Sequence, residues 1–519
     1  MCGLSVKPLK YDELESLISY RGPDATVKKT LANYVFTFHR LAIMDTSRTA
    51  DQPFVNDTHL LMCNGEIFNF QALKENHPYP YISHSDCEVL LPLLDKYNIS
   101  ELCLMLDGEF AFVAYDIINQ KLIAARDPIG IRPLFYGYTS EGEIAFSSEA
   151  KALLNCCAEI HPFPPGHYYD GQNFKAYLEL YKLDERKNTN LDQIFTNIHD
   201  LLISAVNKRL HADVPLGFLL SGGLDSSLVC AIANQTFPKP IKTFAIGLDH
   251  NPIDLGYAKQ VADFLGTDHH EVIFNKSDTI NSIREVIWAI ETWDVTTIRA
   301  SIPMFLLCKY IRNNTEVRAV LSGEVSDELF GYKYTDFAPS ADEFQKESQK
   351  RIKEIHVFDA LRADRCIAHN SLEARVPFSD TEFVSYVMNI DPELKLNKYG
   401  MGKYLLRQAF ENKGYLPKEI LWREKAAFSD AVGHGLVDYL IEAANLKYTD
   451  EEFITKSAKY NTNKPLSKEA LMYREIFAEL FPNQEHLICS YWLPNNSWPN
   501  CNLTDPSARH LPNYGNSGK

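Results

Sequence analysis

The apolar run Leu216-Gly217-Phe218-Leu219-Leu220, followed at once by Ser221-Gly222-Gly223-Leu224-Asp225-Ser226-Ser227, restricts the architecture more than any other stretch of this sequence. A continuous apolar run is the mark of a strand buried on both faces. Glycines at the start of a helix let backbone N–H groups close on an anion at the positive end of the helix dipole. The pattern then repeats: 241–247 reads as a strand, 257–265 as a helix stopped by Gly266, and 270–274 as a strand, and Ile280, Ile283, Ile287 and Ile290 recur at helical spacing. A short apolar strand over 319–321 leads into a second polar loop. Strand alternating with helix predicts a parallel, doubly wound sheet that takes its ligand at the carboxyl ends of the strands.

The first 150 residues have another rhythm. Short β-rich runs at 34–38, 60–63, 110–115, 122–125 and 144–146, broken by Gly, Pro and Asp, predict a layered, mostly antiparallel α+β unit. The polar stretch from Leu183 to Asn190 reads as a linker, helical patterns dominate from about 345, and 493–519 is rich in Asn, Pro, Ser and Gly, which predicts a mobile tail. With 519 residues the chain exceeds one ordinary core. The expected domains are 2–182, a linker at 183–192, 193–492, and a tail at 493–519.

Composition removes other classes. At 45% hydrophobic and 23% charged residues the chain is globular, and a net charge of −16 argues against nucleic acid as a partner. No apolar run reaches the roughly 20 residues of a membrane span, and the N-terminus does not read as a secretory signal. The eleven cysteines are scattered, without metal-ligand spacing, as expected for a reducing cytoplasmic setting.

Removal of Met1 would leave Cys2 as the first residue, its thiol beside an α-amine whose reference pKa of about 7.7 to 8.0 suits a base. An isolated Met-Cys start is usually an idle terminus. Here it is accompanied by Arg21-Gly22-Pro23-Asp24, His39-Arg40-Leu41-Ala42-Ile43-Met44-Asp45, Asn64-Gly65-Glu66-Ile67-Phe68-Asn69, Ser85-Asp86-Cys87-Glu88 and Ala125-Arg126-Asp127-Pro128-Ile129-Gly130. These segments, in this order, resemble the class II glutamine amidotransferase domain, an N-terminal-nucleophile αββα sandwich. Amide hydrolysis needs an oxyanion hole, for which the Asn64 side-chain amide and the Gly65 N–H are candidates. Arg40 suits the carboxylate of glutamine, and Glu66 and Asp86 suit its ammonium. The resemblance adds Leu41, Ala42, Ile43 and Met44 to the glutamine site.

The glycine loop at 221–226 lacks the Gly-Lys-Ser/Thr of a Walker loop and resembles the pyrophosphate loop of ATP pyrophosphatases. With Leu321-Ser322-Gly323-Glu324-Val325-Ser326-Asp327-Glu328, the segments 291–301 and 372–378, Lys403, and Trp422-Arg423-Glu424-Lys425-Ala426-Ala427-Phe428-Ser429-Asp430, it looks like the synthetase domain of glutamine-hydrolysing asparagine synthetases. The implied fold is α/β and α+β, in two domains, the second a doubly wound parallel-sheet ATP-pyrophosphatase unit with added helices. The implied substrates are glutamine, aspartate and ATP, with ammonia passing between the sites by an enclosed route. At matched positions, Leu220, Ile246, Ser322 and Gly323 would frame ATP, and Ser221, Gly222, Gly223, Asp225 and Ser226 its phosphates. Asp225 and Asp327 would hold Mg²⁺, Glu324 would act as base in amide formation, and Lys403 would offset phosphoryl charge. The sequence does not set the oligomeric state and is compatible with a homodimer.

Two positions depart from the family pattern. Val325 replaces a glycine, and Phe330-Gly331-Tyr332 has one glycine where relatives have two. A β-branched residue resists φ > 0, so the loop either has a different backbone here or never needed the torsion. Two further readings follow: an amidotransferase acting on another carboxylate, and a degenerate glutamine- or nucleotide-binding regulatory protein.

Overall fold

The computed structural model describes residues 1–12, 16–182, 189–237, 240–250, 252–424 and 435–514. Its first half stacks two six-stranded sheets. The first is ordered Ile160–Pro162, Phe135–Tyr138, Ile144–Ser147, Gly3–Pro8, Tyr34–Arg40, Ala25–Leu31. The second is ordered Phe174–Ala176, His167–Tyr169, Lys121–Arg126, Gly108–Asp116, His59–Ile67, Phe54–Val55. Period-two alternation divides the side chains between layers. Leu4, Val6, Phe36 and Phe38 meet Leu60, Met62, Ala111 and Val113 between the sheets. On the other face of the second sheet, Leu61, Cys63, Phe110 and Phe112 pack under the helices Phe70–Asn76, Leu90–Lys96 and Ile99–Met105. The first sheet's outer residues Phe135, Ala145 and Ile160 share a core with Val286, Ile287 and Ile290 of the second half, so that half supplies this layer.

The second half is built on a five-stranded parallel sheet ordered Asp268–Phe274, Lys242–Leu248, Leu216–Leu219, Ala319–Leu321, Glu373–Arg375. Helices cover both faces. Leu224–Thr236 and Ile253–Leu265 pack with Phe218 and Ala245, while Lys276–Ile290 and Val295–Asn314 pack with Phe244, Ile246 and Leu248. Local signals set the helix ends: Gly266 takes φ 68° after Leu265, and Asn275 with Asp278 forms a capping box before Lys276. The chain runs outward from Leu216–Leu219 in one direction and then, from Ala319, in the other. That reversal opens a crevice at the carboxyl ends of these two strands, the place where doubly wound sheets bind ligands. Among the described residues no helix is long and apolar enough to cross a membrane.

Two expectations are revised. The helix Leu191–Lys208, capped by Asn190, already begins inside the stretch read as linker, whose residues 183–188 lie outside the described set. The described part of the expected tail, 493–514, is not free: Trp498, Cys501 and Leu511 are buried in the core of the second half, while 515–519 lies outside the described residues. Arg351 donates to the Leu493 carbonyl at 2.6 Å, and Asn495 to Glu347 at 2.9 Å. Composition counted the Pro and Asn residues but not the aromatic and charged anchors spaced among them.

Val325 itself takes φ 78° and ψ −20°, the left-handed region that favours glycine, and it is 1% exposed. Backbone and packing oppose each other here. A non-glycine residue in this region stores about 1–3 kcal/mol, and burying a valine returns about 1.5–3 kcal/mol. Val325→Gly is therefore expected to change stability by less than about 1 kcal/mol, while Val320→Gly in the buried strand Ala319–Leu321 should cost about 3 kcal/mol. Thermal unfolding midpoints of the two variants check the difference; an equally large loss at both positions would contradict the balance.

Candidate active sites

Cys2 immediately precedes the central strand Gly3–Pro8, and Asn64-Gly65 lies on His59–Ile67 of the facing sheet. The Cys2 backbone N–H donates to Asn64 Oδ1 at 2.9 Å, and its thiol points to the Leu41 carbonyl at 3.7 Å. Asn64 is fully buried, and its Nδ2 has no hydrogen-bond partner. A buried, unpartnered amide donor beside a thiol is the arrangement an oxyanion hole requires. Met1 occupies the interior, 1% exposed, with its amine 3.6 Å from Glu373. Burial pushes the Cys2 thiol up to about 11, against the pull of the neighbouring amine.

The glutamine-binding expectations are placed in three ways. Leu41, Ile43 and Met44 are buried, and Ala42 donates its N–H to Asp24 at 2.9 Å. Arg40 closes its fork on Asp51 at 2.8 Å and on the Ser47, Met44 and Asp45 carbonyls. Glu66 stands 3.3 Å from Arg375 of the second half, and Asp86 accepts from the Ile67 N–H at 2.7 Å. Burial, with Glu373 and Asp86 nearby, holds the Glu66 carboxyl well above the usual carboxylate range, and burial raises Asp86 likewise.

The second site is a cavity of about 280 Å³ at the crevice of the parallel sheet. Leu220, Ser221, Gly223, Asp225, Ser226, Ile246, Ser322, Gly323, Glu324, Asp327 and Lys403 all line it. Gly222 lies beneath the loop instead, at φ 73°, where a Cβ would come within 2.5 Å of the Ala258 nitrogen. Gly323 lets the two strand-end loops touch, since a Cβ there would lie 2.9 Å from the Ser226 nitrogen. The glycine loop is organised by its own hydroxyls: the Ser221 and Gly223 N–H groups donate to Ser226 Oγ and Ser221 Oγ at 3.2 and 3.3 Å. Lys403, itself at φ 60°, binds Asp225 at 2.7 Å, Asp327 at 2.5 Å and Ser326 Oγ at 3.0 Å. Glu324 faces Arg362 at 3.6 Å, with its Oε2 buried and unpartnered, as is Ser322 Oγ. These unpartnered polar atoms point to a polar ligand. Of the motif Trp422–Asp430, 425–430 lies outside the described residues, while Arg423 holds the Gly222 carbonyl at 3.0 Å and Asp254 at 2.9 Å.

The sites are joined by Arg21 and Arg375, which sequence reasoning quoted without a role, and by Arg209, which it did not name. Arg375 binds Glu66 and Glu373 through its side chain, and its carbonyl accepts from the Ser322 N–H at 3.1 Å. Arg21 reaches the Cys2 carbonyl at 2.9 Å, Glu149 at 2.6 Å and Asp364 of the second half at 2.8 Å. Arg209 spans Glu109 at 2.7 Å and Asp380 at 3.3 Å. The signal for such residues was present: Leu372-Glu373-Ala374-Arg375-Val376 alternates apolar and charged residues, and Arg375 is fully buried in a strand.

Two family models match: the glutamine amidotransferase domain over residues 2–209, and asparagine synthase over 197–341 and 334–508. A probable glutamine-hydrolysing asparagine synthetase of Acanthamoeba polyphaga mimivirus is 43% identical over 530 aligned positions, covering 95% of each chain. The glutamine-hydrolysing asparagine synthetase of Cricetulus griseus is 40% identical, covering 97% of this chain and 96% of its own. Among solved structures, a glutamine phosphoribosylpyrophosphate amidotransferase from B. subtilis covers 53% of this chain and 81% of its own at 16% identity and a TM-score of 0.30, too distant to carry an assignment. Nearly full-length identity at this level places the chain in the family of glutamine-hydrolysing asparagine synthetases.

Proposed function

We propose that this chain makes asparagine from aspartate and ATP with nitrogen drawn from glutamine, releasing AMP, pyrophosphate and glutamate. The observation that carries the reading is the pairing, in one molecule, of the unpartnered Asn64 amide beside Cys2 with a strand-end cavity that gathers Asp225, Glu324, Asp327 and Lys403. Retention of all these groups disfavours a degenerate binding protein, and the family disfavours another carboxylate. We assign the glutaminase to 2–182 and the synthetase to the chain from 193, extended through 514 because the terminal segment packs there. The cysteines, all unpaired, support a reducing cytoplasmic setting.

In the first half, the amine of a trimmed Cys2 takes the thiol proton, and the thiolate attacks the side-chain carboxamide carbon of glutamine. Asn64 Nδ2 and the Gly65 N–H donate to the oxygen that becomes negative. The C–N bond breaks, the amine returns its proton to the departing ammonia, and water cleaves the thioester to glutamate. In the second half, a side-chain carboxylate oxygen of aspartate attacks the α-phosphorus of ATP and pyrophosphate leaves into the glycine loop. Lys403 offsets the charge that develops, and Glu324 takes a proton as ammonia adds to the activated carbonyl and AMP departs. Asp225 and Asp327, which share one cation in Lys403, fit a Mg²⁺ carried by the triphosphate, since this ion binds through one or two carboxylates plus phosphate oxygens. When bound it would neutralise phosphate charge.

Three outcomes are expected. Cys2→Ala should abolish glutamine-dependent asparagine formation and spare the ammonia-dependent reaction; loss of both would refute two separate sites. Asn64→Ala should lower glutamate release by about 10²–10³-fold, the worth of one oxyanion donor, again with the ammonia-dependent rate intact. A chain that keeps Met1 should be alkylated at Cys2 only as the pH nears 11, whereas the trimmed chain should react near neutrality, because the thiolate is the reactive form and trimming relieves its burial. Equal iodoacetamide rates for the two chains at pH 7 would contradict the stated cause.

A further inference from the structure

The cavity of the second half has a wall that neither catalytic scheme uses. The helix Val295–Asn314 faces it with Thr296, Ala300, Met304 and Leu307, one stripe at helical spacing. Arg299 belongs to the same helix but turns away, into the terminal segment. It is 2% exposed, holds Glu469 by two bonds of 3.0 and 2.6 Å, and with its remaining donors grips Asp505 at 2.9 Å and Ser507 Oγ at 2.8 Å. Ser507 in turn donates its N–H to Asp505 at 2.8 Å. Downstream, Asn513 bonds the Lys333 carbonyl at 3.0 Å and Asp336 at 2.9 Å. Between these two fastenings, Pro506, Ala508 and Leu511 line the same cavity as the acids.

We propose that Pro506, Ala508 and Leu511 form an apolar wall that keeps water from the activated aspartate, with Asp505 and Ser507 as positioning residues that act through Arg299. The inference rests on the synthetase reading above. An acyl adenylate is open to two nucleophiles. Ammonia nitrogen attacks its carbonyl carbon, the bond to the AMP oxygen breaks, and asparagine forms; water oxygen in the same position yields aspartate and AMP, with the proton lost to solvent. Each hydrolysis consumes ATP and leaves AMP without asparagine. Proline, alanine and leucine side chains carry no hydrogen-bonding group that could order such a water, and the buried arginine fixes where they stand. A carboxylate that meets a fully engaged guanidinium gives a directional, charge-assisted clasp rather than a loose surface pair.

The test is the full-length double variant Asp505→Asn/Ser507→Ala, given aspartate, ATP and ammonia, with AMP and asparagine both quantified. The parent should release them in equal amounts, and the variant should release AMP in excess of asparagine by about threefold or more as water gains access. Trypsin cleavage after Arg509 should be faster in the variant, which reports the freed wall, while glutamate release from glutamine alone stays at the parent's rate and reports an intact fold. An unchanged AMP-to-asparagine ratio with faster cleavage would overturn the water-excluding role, and unchanged cleavage would overturn the anchoring role. If glutamate release also falls, Leu511→Ser replaces the double variant: it leaves the Arg299 clasp intact and opens the wall, and an unchanged ratio there overturns the proposal. A parent that forms no AMP from ATP and aspartate would refute the synthetase reading itself, an outcome separate from any difference between variant and parent.

Discussion

The pairing of charges buried between the two halves is the constraint on which the rest of the molecule depends. Apolar contact alone would let two such surfaces slide, because hydrophobic attraction has no direction. Arg21 with Asp364, Arg209 with Glu109 and Arg375 with Glu66 do have direction, and each joins residues a hundred or more positions apart in the chain. Removing one partner of such a pair strands a buried charge, at a cost of about 3–5 kcal/mol, whereas shifting the halves would strand several at once. The glutaminase and the synthetase are thereby held in one register, and the same residues that hold them reach both the Cys2 carbonyl and the Ser322 N–H. An intermediate handed from one half to the other needs such a fixed relation more than it needs tight binding.

Two strained residues stand at the second site. Val325 and Lys403 both lie in the left-handed region, and each stands at the start of a helix, Ser326–Phe330 and Tyr404–Phe410. Each conformation is unfavourable alone and persists because surrounding contacts over-determine it. Packing holds Val325, and the acids Asp225 and Asp327 hold Lys403. The glycine kept at Gly331, with φ 103°, shows the other solution: a Cβ there would lie 2.5 Å from Thr335 Oγ1, and no packing gain is available in exchange.

The sequence made the second half legible where burial on both faces left long apolar runs. The strands near 216, 242, 268 and 319 and the helices between them stand within a few residues of their expected places. It hid two strands that matter for function. Gly3–Pro8 carries only Leu4 and Val6 as inward apolar residues, and Lys7 and Pro8 mask the alternation. Glu373–Arg375 is charged at both ends, because its side chains face the interface rather than a hydrophobic layer. The motif residues of both sites were readable from their order, and the structure brings Cys2 to Asn64 and Asp225 to Lys403 and Asp327. What pattern could not supply is the partner of each charge. Arg40, read as the partner of glutamine's carboxylate, is engaged by Asp51, and Arg375, quoted only within a motif, links both sites.

The Asn64-Gly65 pair illustrates a second service of the sheet. Asparagine followed by glycine is readily lost to chemical ageing, because the flexible glycine nitrogen can attack the side-chain amide carbon, expel ammonia and close a ring that water then opens to leave an acid. Here both residues are fixed in an extended strand, Asn64 opposite Ala111 and Gly65 opposite Phe110, and the glycine backbone is packed so closely that even a methyl group would not fit. The ladder that aims the amide donor at the thiol also denies its neighbour the bend that would destroy it, and the enzyme's shelf life is thereby tied to the integrity of one strand.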